Sequence, residues 1–213
     1  MKMYLIDNDS DSIILFFTGY GCDEYEFEHL KSKTDILLLY DYSDMDLSLN
    51  FDFSKYKEVN LIGFSAGVFV ASVFNFNFEM KRKIALSGNP YLFDEHYGIT
   101  KEMQDVLCNI TEETADDFAR NYLIKTDEEF SKFHHSHRTI DSCKKEFKSL
   151  KKLYSAKKHS IKDIFDWAII GENDPIFNVK AQKDFYAQRL KIVKNARHNL
   201  FFRIQNFEDI LYY

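Results

Sequence analysis

Turn-forming residues are scarce: this 213-residue chain holds 7 glycines and 2 prolines. No repeat or low-complexity linker divides it, so each glycine, Gly19, Gly21, Gly63, Gly67, Gly88 and Gly171 above all, becomes a position to inspect. Cysteine is equally thin. Cys22, Cys108 and Cys143 are odd in number and far apart, which excludes a disulfide framework and reads as free thiols in a reducing cytoplasm. No run of about 18 apolar residues exists, so no membrane-spanning helix is expected. Asp7 interrupts the N-terminal apolar stretch before a signal core forms, so no secretory leader is expected either, and a cytoplasmic location is. Strong charge imbalance is also missing. With 28 Lys+Arg against 34 Asp+Glu the net charge is −6, which argues against general nucleic-acid binding.

What the chain does have is apolar and aromatic residues, 45% and 16% of the total, with 21 Phe and 13 Tyr. That composition belongs to a globular protein with one sizeable core. Its charge is segregated. Acids crowd residues 1–54, Asp41, Asp44, Asp46 and Asp52 among them, whereas Lys144 to Tyr154 is strongly basic.

Short apolar runs recur along the chain: Met3 to Ile6, Ile13 to Phe17, Asp35 to Tyr40, Glu58 to Phe64, Arg82 to Ser87, Ile164 to Ile170 and Leu190 to Val193. Helix-like segments separate many of them, which predicts βαβ units: an α/β class with a mostly parallel sheet and helices on both faces. The alternation stops across residues 91–162, where helical patterns such as Thr111 to Ile124 and Asp141 to Tyr154 replace strands. Thr126-Asp127-Glu128-Glu129 is a predicted helix start. One domain, 1–213, is expected, with an all-helical lid at 91–162 inserted between strands.

The most informative stretch is Gly63-Phe64-Ser65-Ala66-Gly67, set between a strand pattern and a helix pattern. Gly-x-Ser-x-Gly at a strand-to-helix turn is the nucleophile elbow of α/β-hydrolases, whose tight turn lifts a serine hydroxyl above the sheet. Such a serine needs a base and an acid to orient that base, in the chain order Ser, acid, His. Asp174 follows the strand pattern ending at Ile170, and His198 follows the one ending at Val193, so both project from the same sheet edge as Ser65. Asp94 is the second candidate for the acid. Cys22 is a weaker nucleophile candidate, since no basic residue or helix start adjoins it. His134-His135-Ser136-His137 lacks a cysteine or carboxylate at ligand spacing, so no metal is expected. For the oxyanion, the backbone N–H groups of Ala66 and of Tyr20, in Thr18-Gly19-Tyr20-Gly21, are the expected donors, with the Tyr20 ring lining the acyl pocket.

The chain resembles the BioG-type pimeloyl-[acyl-carrier protein] methyl ester esterases from end to end. The resemblance is carried by Leu15-Phe16-Phe17-Thr18-Gly19-Tyr20-Gly21-Cys22-Asp23, Leu39-Tyr40-Asp41-Tyr42-Ser43-Asp44, the Ser65 elbow, Ser87-Gly88-Asn89-Pro90, Gly171-Glu172-Asn173-Asp174-Pro175-Ile176-Phe177, Gln182 and His198. Departures from it, such as Tyr20 where tryptophan is frequent and Ala66 where methionine is, touch the pocket more than the triad. The resemblance implies a serine esterase without cofactor. It would remove the methyl group from pimeloyl-[acyl-carrier protein] methyl ester in biotin synthesis, through Ser65, His198 and Asp174. A general carboxylesterase or acyl thioesterase would share this triad. An acidic carrier partner also suits the basic segment, where Arg138, Lys144, Lys145, Lys148, Lys151 and Lys152 are the candidate contacts. Their spacing predicts that they spread around much of one helix, some of them facing solvent idly.

Overall fold

The computed structural model describes residues 1–44 and 47–213; Asp46, one of the early acids, lies outside them. Seven strands, β1 Lys2–Ile6, β2 Ser12–Phe17, β3 Asp35–Tyr40, β4 Glu58–Phe64, β5 Lys83–Leu86, β6 Trp167–Gly171 and β7 Leu190–Val193, form one sheet. Their order is β1-β3-β2-β4-β5-β6-β7. Only β1 runs antiparallel, against β3, and every other neighbour pair is parallel. Each apolar run became a strand: β2, β3 and β4 are buried, as a doubly covered sheet needs continuous apolar sequence, whereas the edge strand β1 leaves Met3, Tyr4 and Leu5 exposed. In β2, Ile13, Leu15 and Phe17 enter the core on one face while Ile14 and Phe16 enter the core on the other. The pattern beginning at Ile164 starts pairing only at Trp167. The Asp166 side chain caps the Lys83 N–H at 2.9 Å, which ends the ladder there.

The chain turns from β2 to β3 on one side, then returns so that β4 lies on the other side of β2. At such a reversal the connections leaving neighbouring strands diverge and open a crevice beyond their carboxyl ends. The loop after β2 carries Tyr20 and the turn after β4 carries Ser65, so both candidate site elements flank that crevice.

The helices are α1 Ala66–Val73, α2 Lys101–Cys108, α3 Ala115–Phe118, α4 Asp127–Ser131, α5 Ile140–Lys157, α6 Val179–Tyr186 and α7 Phe207–Tyr212. Helices α2 to α5 all fall between β5 and β6, and no strand lies between them among the described residues. Thr126 opens α4 with a reciprocal cap from Glu129. The segment Thr111 to Ile124, expected as one helix, is instead the single turn of α3 followed by a π turn over Ala119–Leu123. Tertiary contacts explain the interruption. Asn199 N–H donates to Leu123 O at 2.9 Å and Arg197 donates to Ile124 O at 3.0 Å, which fixes those carbonyls for the neighbouring loop.

Helix α5 buries Glu146, Phe147, Leu150 and Leu153. At about 100° per residue, Lys144, Lys145, Lys148, Lys151 and Lys152 share an arc of about 120° on the opposite side. The expected scatter around the helix is therefore replaced by one basic stripe. Among the described residues no helix is long and apolar enough to cross a membrane.

Candidate active site

Ser65 joins β4 to α1 with φ 52 and ψ −119, a conformation that residues with a side chain rarely adopt. The flanking glycine is sterically required: a Cβ on Gly67 would stand 2.1 Å from Phe17 O. This close approach of α1 to the end of β2 drives the serine up and out of the sheet. Asp174 sits in the loop after β6, and its Oδ1 accepts from the N–H groups of Ile176 at 2.8 Å and Phe177 at 3.1 Å. Two amide donors from its own loop fix the carboxylate plane and leave Oδ2 free to turn elsewhere. That oxygen lies 2.9 Å from His198 Nδ1, and His198 Nε2 lies 3.0 Å from Ser65 Oγ. Since a carboxylate only accepts, Nδ1 carries the proton and Nε2 is left to accept from the serine hydroxyl. His198 is 2% exposed, with its ring stacked on Phe177 at 5.9 Å and tilted against Phe64 at 5.3 Å.

The candidate donors frame the serine. Ala66 is the first residue of α1, so its N–H has no acceptor within the helix. Around Tyr20, Thr18 N–H donates to Leu39 O, Gly21 N–H to Glu146 and Cys22 N–H to Gly19 O. Among the described residues the Tyr20 N–H has no such acceptor, which leaves it available to a ligand. Ser65, Ala66, Tyr20 and His198 line one pocket of ≈ 80 Å³, whose walls include Leu92, Phe93, Leu107, Phe147, Leu150 and Ile176. Among the described residues no lysine or arginine lines it. A second groove, ≈ 430 Å³, shares Tyr20, Glu26, Leu107, Phe118 and Leu123 with it and extends to Lys144.

Other sequence candidates separate from this cluster. Asp94 turns its Oδ1 to the N–H groups of His96 and Tyr97, both at 2.9 Å, as a turn residue does. Cys22 is 7% exposed, and burial followed by the neighbouring Glu26 charge pushes its thiol well above the usual range, opposite to what a nucleophile needs. His134 faces Glu28 at 4.0 Å, His135 meets Asp116 at 2.7 Å and His137 packs on Tyr25 at 3.6 Å, so the three diverge. Arg138 requires a correction. Expected on the surface as a carrier contact, its side chain is 5% exposed and paired with Glu146 at 2.6 Å and Asp41 at 2.9 Å. Two buried carboxylates satisfy its planar fork better than solvent at the rim would. Lys145, Lys148, Lys151 and Lys152 are exposed, and Lys144 is partly so.

Glu26 escaped the sequence reading. It lines both the pocket and the groove, and its Oε2 has no hydrogen-bond partner among the described residues. Burial pushes its carboxyl up to about 7; Asp23 adds to the rise, while Cys22 and Arg138 oppose it. A raised carboxyl holds its proton in the folded state, so its contribution is full below the ordinary carboxylate range and fades as pH rises through about 7. Glu26→Gln is therefore expected to gain on the wild type between pH 5 and 8 by about 1–2 kcal/mol, less than the full shift because Glu26 is only partly buried. Urea unfolding across that range checks it, and parallel curves for the two proteins would defeat the expectation.

Fold and site together define a member of the α/β-hydrolase fold. The family described as "Pimeloyl-ACP methyl esterase BioG" matches residues 1–210, and the chain belongs to that family. It is similar to the crystal structure of BioG from Haemophilus influenzae, at 27% identity and TM-score 0.85, over 99% of this chain and 100% of that one. A malonyl-[acyl-carrier protein] O-methyltransferase of Bacteroides fragilis is 32% identical over 178 residues, 80% of this chain and 35% of the relative. The chain thus spans about a third of that relative's length. An esterase from Exiguobacterium antarcticum shares the fold at TM-score 0.70 with 16% identity, covering 94% of this chain and 90% of its own.

Proposed function

We propose that this chain is a serine esterase that hydrolyses the methyl ester of pimeloyl-[acyl-carrier protein], releasing methanol. The observation that carries the reading is the hydrogen-bonded chain Ser65–His198–Asp174 opening onto an apolar pocket in a BioG-family protein. Ser65 Oγ attacks the ester carbonyl carbon while His198 Nε2 takes its proton, and the N–H groups of Ala66 and Tyr20 receive the developing oxyanion. His198 then protonates the methoxy oxygen, the C–O bond breaks and methanol leaves. Water, deprotonated by the same imidazole, splits the acyl-serine bond and restores the hydroxyl. The product carboxylate meets apolar walls without a lysine or arginine, which favours its departure.

Two features support a carrier-bound substrate. The groove continuing from the pocket toward Lys144 offers a path for a long acyl arm, and the exposed stripe on α5 suits a small acidic protein. The Bacteroides relative, by its name, methylates a malonyl chain on the carrier. A region like this chain within it suits an enzyme that later removes such a methyl group. Mass spectrometry of the carrier after incubation is expected to show loss of the methyl with the thioester intact. Release of the whole acyl chain would favour a thioesterase. Reversing Lys148, Lys151 and Lys152 to glutamate is expected to raise KM for the carrier-bound ester at least about tenfold more than for a small free ester; equal losses on both would refute the docking surface.

A further inference from the structure

We propose that Glu146, a lid-helix residue outside the triad, is the positioning residue of the oxyanion loop; this rests on the esterase reading above. Glu146 is 0% exposed on α5, 125 residues from the loop it holds. Its Oε2 accepts from Gly21 N–H at 2.9 Å and from Arg138 Nη1 at 2.6 Å, and its Oε1 accepts from Tyr42 N–H at 2.9 Å. Arg138 in turn donates to Asp41 Oδ1 at 2.9 Å and to Ser142 Oγ at 3.0 Å. One carboxylate therefore ties three elements together: the loop after β2, the residues after β3 and α5 itself.

The consequence falls on Tyr20. Its N–H lies in the Gly19–Tyr20 peptide plane, which is jointed at the Tyr20 Cα to the neighbouring Tyr20–Gly21 plane, so holding both planes fixes where that N–H points. One plane is held through Gly19 O, which accepts from Cys22 N–H at 3.4 Å. The other is held through Gly21 N–H, whose acceptor is Glu146. Gly21 adopts φ 77, a conformation with many alternatives for a residue lacking Cβ, so an outside restraint has something to select. The first donor, at Ala66, is fixed by α1 and independent of Glu146. Removing the restraint is thus expected to weaken one of two donors, an effect on the transition state more than on the bound ester.

Glu146→Asp is the first test, because it keeps the charge opposite Arg138 while withdrawing the oxygens from Gly21 and Tyr42. Glu146→Gln is the second, since its amide cannot accept at both oxygens. With a small chromogenic ester, kcat is expected to fall about 10–100-fold with KM within about threefold. Binding of a trifluoromethyl ketone that forms the tetrahedral adduct should weaken by the same factor. Leu153→Ala, a core truncation on the same helix, supplies the comparison for lost stability alone and is expected to leave kcat intact at an assay temperature below its melting point. Either Glu146 variant retaining wild-type kcat and ketone affinity would overturn the proposal, as would failure of both to accumulate folded, which would assign Glu146 to folding. If the wild type shows no Ser65-dependent turnover, the esterase reading falls first, a result distinguishable from active wild type with equally active variants.

Discussion

Ser65→Ala is expected to lower ester turnover by on the order of 10⁵–10⁶-fold and to abolish labelling by a fluorophosphonate. The loss should be chemical and not structural. Among the described residues the Ser65 side chain hydrogen-bonds only to His198, while its backbone N–H donates to Leu86 O at 2.9 Å and its carbonyl accepts from Val68 N–H at 3.1 Å. Alanine keeps both backbone bonds and the same Cβ, so the elbow retains its shape and the melting temperature should scarcely move. What disappears is the hydroxyl oxygen that lies 3.0 Å from His198 Nε2. A variant retaining more than about one percent of turnover would remove Ser65 from the mechanism, because no oxyanion hole alone restores that much.

Asp174→Asn is expected to lower kcat on the order of 10³–10⁴-fold with little change in KM. The reason lies in the loop's own donors. Ile176 and Phe177 present N–H groups to Oδ1, so an asparagine must point its carbonyl oxygen at them. Its amide nitrogen then occupies the place of Oδ2, 2.9 Å from His198 Nδ1, where two donors would face each other. The imidazole relieves the conflict by moving its proton to Nε2, the nitrogen that must accept from Ser65. Pre-steady-state measurement of acylation checks this, and a reduction smaller than about tenfold would show that the acid is elsewhere.

The strand runs and the elbow were legible because their signals are local. A continuous apolar stretch names a buried strand, and glycine two residues either side of a serine names a turn that α1 can approach closely. Ser65, Asp174 and His198 were reachable through chain order, and the structure brings their side chains within hydrogen-bond distance. Arg138 was misread because its partner Asp41 lies 97 residues away, and nothing in a basic neighbourhood tells an inward cation from an outward one. Glu146 hid among lysines, yet a signal existed. It occupies the helical stripe of Phe147, Leu150 and Leu153, where an acid makes sense only if something buried answers it. The broken helix before Ile124 had no local signature, since Asn199 and Arg197 interrupt it from another part of the chain.

The buried fastening of α5 restricts how a guest molecule arrives. That helix cannot swing outward while its carboxylate still grips the backbone at Gly21 and Tyr42, so moving it would disturb the loop beside the serine. The groove that runs from Tyr20 and Phe118 to Lys144 lies along this same fastening, with Gly21 and Arg138 in its walls, so its shape depends on the carboxylate staying in place.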